Sequence, residues 1–241
     1  MIFLKVFSII GRVKGKNGLA GKIAKELKLR GYTVGVLKGE NNFISNYEKI
    51  EGADMIAFLG RESTAISFPR KFSLNEIIGF YKQDFVILED VLAAAVPKLL
   101  CAESEEEIAK VLDGTVFAIS GAVSLKMKRY GDVPVINAET NIGELVDLIE
   151  ERVFEKLPDL EGKGCGSCGK SCGKMAEDIL KKRASREDCR AKNSVKVWIN
   201  GREVPMVPFV QKTFEAVITA FLSQLKGFEK GDIKIIMTVK E

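Results

Sequence analysis

The chain of 241 residues contains no histidine at all. No metal site in it can use imidazole, which removes the mixed Cys/His zinc sets from consideration. No apolar run approaches the ~20 residues that a membrane-spanning helix requires. The opening MIFLKVFSII is apolar but short, with neither a basic leader nor a small-residue cleavage site, so it reads as a first strand rather than a signal peptide. Strong charge of one sign is missing too: 37 basic against 33 acidic residues leave +4, too mild to imply a nucleic-acid partner. Internal repeats and long low-complexity tracts are absent. These absences point to a globular protein with no membrane anchor, with the cytoplasm as the default compartment.

What is present is ordinary in bulk and unusual in two places. At 46% apolar and 29% charged, the composition suits one sizeable domain plus a smaller one. Residues 1–154 alternate strand and helix patterns. IFLKVFSII and DFVILED are apolar runs suited to strands covered on both faces, and YTVGVLKG, TVFAISG and VPVINA are further strands. ADMIAFLG and TAISFP read as two more, joined by a turn at Arg61–Glu62. Leu19, Ile23 and Leu27 recur at helical spacing and end at Gly31. Ser73 with Glu76 forms a capping box, and SEEEIAKVLD opens on a similar cap. ELVDLIEERVF is a later helix. This alternation predicts an α/β fold with a mostly parallel sheet and helices on both faces, like a P-loop NTPase. Residues 155–193 turn glycine-, lysine- and cysteine-rich around one helix, KMAEDILKKRA. Residues 194–241 read as a small ββαβ module, with Asn200–Gly201 as a hairpin turn and FVQKTFEAVITAFLSQLKG as its helix.

The first unusual place is GRVKGKNG, between the first strand and the first helix. A phosphate-binding loop reads G-x4-G-K-[ST]: backbone N–H groups cradle phosphates, the lysine reaches the β/γ-phosphates and the hydroxyl binds Mg²⁺. Gly15–Lys16 falls in the right place, but Gly11 precedes Gly15 by four positions rather than five, and Asn17 replaces the hydroxyl residue. Gly11, Gly15, Lys16, Asn17 and Gly18 are the candidate phosphate-binding residues. Glu89 is the candidate for polarising an attacking water and Asp90 for holding Mg²⁺, since both end the buried strand DFVILED. Plain structural readings stand beside these. The turn could use glycine only for positive φ, and the acids could cap the segment that follows.

The second place holds four of the five cysteines: Cys165, Cys168, Cys172 and Cys189, spaced C-x2-C-x3-C-x16-C. A structural zinc site normally pairs two short knuckles, and the second knuckle is missing. Three close thiolates on a glycine-rich loop with one remote thiolate suit a [4Fe–4S] cluster. Zinc and redox-active thiols remain alternatives. Lys163, Lys170 and Lys174 would offset the cluster's negative charge, and Met175, Ile179 and Leu180 would cover its apolar side. Cys101 reads as a small buried hydrophobe.

These residues bring a family into view. GKNGLAGKIAKELKLRGYTVGVLKG, GADMIAFLG, DFVILEDV, VPKLLCAESEEE, TVFAISG and DVPVINAETNIGELVDLIEE resemble, in order, the MobB family of molybdopterin-guanine dinucleotide biosynthesis adaptors. CGSCGKSCGKMAEDILKKRASREDC resembles a four-cysteine iron–sulfur extension carried by some archaeal MobB-like chains. The resemblance implies GTP with Mg²⁺ in the glycine turn, a partner protein of cofactor maturation or redox chemistry, and a homodimer. The chain departs from the family at the shortened loop, at Asn17, at Gly39 where a histidine usually follows the lysine, and at Leu88-Glu89-Asp90 in place of VEG. No N/T-K-x-D guanine-reading motif is present, so GTP rests on the resemblance. Catalysis is expected to be a slow GTPase reaction at most. Two functions are carried forward: a GTP-binding accessory protein of molybdenum or tungsten pterin cofactor synthesis, and an iron–sulfur redox or scaffold protein whose nucleotide fold is a non-hydrolysing interaction module.

Overall fold

The computed structural model describes residues 4–11, 18–39, 50–91, 93–164 and 168–189, together with 195, 197–199, 202–204, 208–229, 233 and 235 of the C-terminal region. In chain order the elements are β1 (Lys5–Ile10), α1 (Leu19–Leu29), β2 (Val34–Lys38), β3 (Ile56–Leu59), β4 (Thr64–Ser67), α2 (Leu74–Ile78), β5 (Phe85–Glu89) and β6 (Lys98–Cys101). They continue with α3 (Glu105–Val111), β7 (Val116–Ser120), β8 (Arg129–Tyr130), β9 (Val133–Pro134), α4 (Ile142–Arg152), α5 (Cys172–Leu180), β10 (Val197–Ile199), β11 (Arg202–Val204) and α6 (Pro208–Leu222).

Five strands form one sheet in the order β2-β5-β1-β6-β7, and every pairing in it is parallel. Alternation along the strands divides the core between two faces. Phe7, Ile9, Phe85 and Ile87 point to the face covered by α1 and α4, where Ile23, Leu27, Leu145 and Ile149 close the cluster. Val6, Val86 and Leu88 point the other way, to Ile78 of α2 and Leu160. With both faces covered, all five residues of β5 and all five of β7 are buried, which explains their unbroken apolar runs. Arg30 clamps α1 to α4. Its guanidinium donates to Glu26, Asp147, Glu150 and the Gly143 carbonyl, and those carboxylates raise its already high pKa further. The cap predicted at Ser73 and Glu76 is formed in both directions, and Ser104 accepts from the Glu107 N–H.

The hairpin expected about Arg61–Glu62 is formed: β3 and β4 pair antiparallel, apart from the parallel sheet, and alternate half-buried and exposed residues, so they could not sit covered on both faces. Two other elements differ from the sequence reading. The run KLLC, unassigned in the sequence reading, is the strand β6. Val133–Pro134 pairs antiparallel with Arg129–Tyr130, and the residues after it reach the main sheet through an Ile119–Val135 bridge and a hydrogen bond from the Ile136 N–H to the Ile119 carbonyl.

The chain beyond α4 remains on the sheet domain. Glu155 bridges Lys5, and the Lys156 N–H donates to the Leu4 carbonyl at 2.9 Å. The Ala95 N–H donates to the Leu160 carbonyl at 3.1 Å, while Asn75 Oδ1 accepts from the Leu160 N–H and its Nδ2 donates to Asp159. Leu157 and Leu160 are fully buried. In the C-terminal region β10 and β11 form the expected hairpin, and α6 follows. The strand expected over 231–241 falls almost wholly outside the described residues. Among those residues no helix is long and apolar enough to cross a membrane.

Leu160 therefore counts as core of the sheet domain. Leu160→Ala is expected to destabilise the whole domain by roughly 3 kcal/mol, read as a lower denaturant midpoint of the sheet's own unfolding transition. A change confined to the cysteine segment, with the main transition unmoved, would contradict this packing.

Candidate functional site

β1 runs between β5 and β6, with Ile9 level with Glu89 and Ile10 level with Leu100. The chain leaving β1 consequently emerges between the ends of its two neighbours, the position where open α/β sheets bind ligands. Gly11 makes that exit possible. Its φ is +124°, and a Cβ there would lie 2.1 Å from the Cys101 carbonyl oxygen. Gly18, at φ +93°, starts α1 with no side-chain cap and no acid in the first turn. Among the described residues no side chain accepts from the N–H groups of that turn, and the helix dipole adds partial positive charge, so an anion is favoured there. Gly15, Lys16 and Asn17 lie outside the described residues. The two glycines that anchor the loop are inside them.

Glu89 stands next to this exit and is only 7% exposed. Lys38 Nζ approaches its Oε2 at 3.1 Å, yet the two are not aligned as a hydrogen bond, and among the described residues this buried oxygen has no hydrogen-bond partner. The lysine is 61% exposed, and an ion pair with so exposed a partner contributes about 0–1 kcal/mol. Burying a carboxylate costs several kcal/mol. A deficit of that sign, at the end of the strand beside a glycine turn, suits a carboxylate that holds a cation or its water. Asp90 follows in the left-handed region, at φ +59°, which costs a non-glycine residue of order 1 kcal/mol. The Gly39 N–H donates to the Glu89 carbonyl at 2.8 Å, and a Cβ on Gly39 would lie 2.4 Å from the Asp90 carbonyl oxygen. The departure from the family's histidine thus coincides with a backbone crossing that leaves no room for a side chain.

Sequence reasoning missed Ser8. It is fully buried in the middle of β1, with its hydroxyl 3.3 Å from the carbonyl oxygens of both Leu88 and Val91. It fastens β1 to the chain on either side of Glu89 and Asp90. A lone hydroxyl in an otherwise apolar strand was the available signal.

The cysteines gather elsewhere. Cys172 and Cys189 are buried in one cluster with Ala95, Leu157, Met175 and Ala176, and half-buried Cys168 packs against it. Cys165 lies outside the described residues. Gly164, at φ +82°, passes so close that a Cβ would lie 2.8 Å from the Cys172 nitrogen and 3.3 Å from its Sγ. Three of the four candidate ligands therefore share a single apolar nest that glycine lets the chain enter. Among the described residues no three Cys, Asp or Glu side chains already stand as a metal-holding group. Cys101 is in the sheet core, as expected.

Two of the three lysines assigned to a cluster have other partners. Lys170 binds Asp178 at 2.7 Å, and Lys174 binds Glu177 at 3.0 Å. Met175 and Ile179 do join the cysteine nest, whereas Leu180 packs on the main core. Arg183 also donates to Asp178, through Nε and Nη2. The hydrogen bond from Lys170 is the main cause holding the Asp178 carboxyl at about 2, and those from Lys181 and Lys174 hold Glu177 at about 2.

Both carboxyl pKa values are depressed, so the stability they lend is present above the unfolded values near 4 and is lost as pH falls towards about 2. Limited acid proteolysis between pH 4 and 2 is expected to cut the 168–189 segment progressively faster. Asp178→Asn should make that cutting fast already at pH 5. Equal cutting of both proteins across the range would contradict the assignment.

No family model matches the chain. It is 23% identical over 238 residues, covering 94% of each chain, to a protein of Methanocaldococcus jannaschii named "Putative molybdopterin-guanine dinucleotide biosynthesis adapter protein". Two crystal structures of Bacillus subtilis MobB resemble it at 20% identity. One has a TM-score of 0.52 and covers 62% of this chain and 98% of its own; the other has a TM-score of 0.50 and covers 63% and 97%. The core of this chain has the fold of these MobB structures, a parallel α/β sheet with helices on both faces.

Proposed function

We propose that the protein is an accessory factor of molybdenum or tungsten pterin cofactor synthesis. In this reading it holds GTP at the turn from Gly11 to Gly18 and a [4Fe–4S] cluster on Cys165, Cys168, Cys172 and Cys189, in the cytoplasm. One observation carries the nucleotide part: the buried Oε2 of Glu89 beside the exit of β1, which has no hydrogen-bond partner among the described residues and only an ion pair to the exposed Lys38. Support for the pathway comes from the M. jannaschii relative, whose likeness runs through the cysteine segment as well as the sheet.

The chain's own groups divide the task. The open first turn of α1 and the glycine turn donate N–H groups to phosphate, and Lys16 adds a point charge. Mg²⁺, when bound, would screen the phosphate oxygens and order water. Glu89 would hold that cation or its water, with Lys38 free to swing aside because it is mostly exposed. Asn17 offers an amide oxygen where the family has a hydroxyl, and the short Gly11–Gly15 spacing removes one well-placed donor, a loss worth ~3 kcal/mol of barrier. Binding survives that loss better than hydrolysis. A [4Fe–4S] cluster, when bound, would supply one-electron chemistry, and the nest of Met175, Ala176 and Leu157 would shield its thiolates from water. The same two departures, Asn17 and the short spacing, favour the second reading, an iron–sulfur redox or scaffold protein with an inert nucleotide fold.

Anaerobically purified protein is expected to carry about four iron per chain, lost on serine substitution of any of the four clustered cysteines and kept in Cys101→Ser. Calorimetry on the same material should show GTP binding that Lys16→Ala abolishes and Asn17→Thr tightens in the presence of Mg²⁺. Zinc in place of iron overturns the cluster. No binding of GTP at about 1 mM by either the wild type or Asn17→Thr overturns the nucleotide role and leaves the second reading.

A further inference from the structure

Between β5 and β6 the chain crosses over β1, which lies between them in the sheet. The crossover is residues 90–97, and its described residues form neither helix nor strand. Its side chains divide between two neighbours. Ala93 and Val96 are buried against the sheet with Val6, Val86 and Leu88. Ala95 is buried in the cysteine nest with Cys172, Met175 and Cys189. The crossover is therefore a wall with the sheet on one side and the thiols on the other, and the small side chains of Ala93 and Ala95 let it lie close to both.

This wall begins at the carboxylate assigned to the nucleotide's cation. Asp90, next to Glu89, holds a left-handed backbone at φ +59°. The Val91 carbonyl accepts from the Ser8 hydroxyl at 3.3 Å. Further along, the same stretch of chain meets the cysteine segment. The Ala95 N–H donates to the Leu160 carbonyl, and a Cβ on Gly162 would lie 2.6 Å from the Ala94 Cβ. A Cβ on Gly173, the residue after Cys172, would lie 3.4 Å from the Ala94 carbonyl oxygen. The Gly173 N–H also donates to the Gly162 carbonyl, at 3.4 Å, so the two glycines approach Ala94 as a unit. Four residues of chain span at most ~14 Å, which bounds the separation of Asp90 from Ala94.

We propose that this crossover couples the two sites of the function proposed above, on which the inference rests: nucleotide with its cation at Glu89 and a cluster on the cysteines each bind more tightly when the other is present. A cation on Glu89 fixes the backbone through Asp90 and Val91. A group held by the thiolates fixes the first turn of α5 and Gly162 against Ala94 and Ala95. Both demands fall on one short stretch of chain. Whichever ligand arrives first orders it, and the second does not meet that cost again. Thermodynamic linkage makes the effect on affinity equal in both directions.

The test uses the full chain purified without air. GTP with Mg²⁺ is titrated by calorimetry into iron-loaded protein and into the same protein stripped of iron by a ferrous chelator. Iron-loaded protein is expected to bind GTP at least about fivefold more tightly, and GTP with Mg²⁺ should slow the loss of iron to the chelator. Ala94 is exposed and belongs to neither set of ligands. Ala94→Gly should therefore keep its iron and its GTP binding, while the ratio of the two affinities falls to within about twofold. Wild-type protein that holds iron and binds GTP equally well in both states, or Ala94→Gly protein that keeps the full ratio, would overturn the coupling alone. Protein that holds no iron, or binds no GTP, would overturn the function beneath it and the coupling with it.

Discussion

The pairing of β1 on both sides with parallel strands is the constraint on which the rest depends. Because β5 lies on one flank and β6 on the other, the chain leaving β1 has to pass between two strand ends whose backbones are already close. Only glycine fits at residue 11, where the Cys101 carbonyl blocks a side chain. The same pairing sets Glu89 level with Ile9 and buries it. Ser8 then ties β1 to the backbone around that carboxylate. A glycine-only exit with a buried acid beside it follows from strand order before any ligand is considered.

A second consequence is the position of the cysteines. The hydrogen bonds from Lys156 to Leu4 and from Ala95 to Leu160 lay the chain after α4 along the sheet domain. Leu157 closes the cysteine nest from that side and Leu160 fills the core under α2. The nest is thus built partly by residues of the sheet domain, Ala95 among them. Any group bound by those thiols is anchored to the sheet domain from which the glycine turn emerges.

Much of this was legible in the sequence, for identifiable reasons. Strands buried on both faces leave unbroken apolar runs, so β1, β5 and β7 could be read directly. Capping chemistry is local, so Ser73 with Glu76 was legible too. β6 was missed because four residues between Pro97 and Ala102 carry too little periodicity to separate strand from turn. The β3–β4 pair was read as strands, but its exclusion from the sheet shows only in side-chain exposure. Around the sites, residue types were legible and pairings were not. The engagement of Lys170 by Asp178 and the ion pair of Lys38 with Glu89 arise where separate elements meet, and no local pattern encodes such meetings.

The central claim is that the buried oxygen of Glu89, held only by an ion pair to exposed Lys38, serves the cation of a bound nucleotide. Manganese(II) in place of magnesium makes that cation visible by electron paramagnetic resonance. Titration into wild-type protein should give a bound-manganese signal that requires GTP. Glu89→Gln keeps the shape and removes the charge, and should weaken the bound signal tenfold or more, with the fold retained by circular dichroism. Manganese bound equally well by Glu89→Gln, or bound to the wild type without nucleotide, would contradict the account.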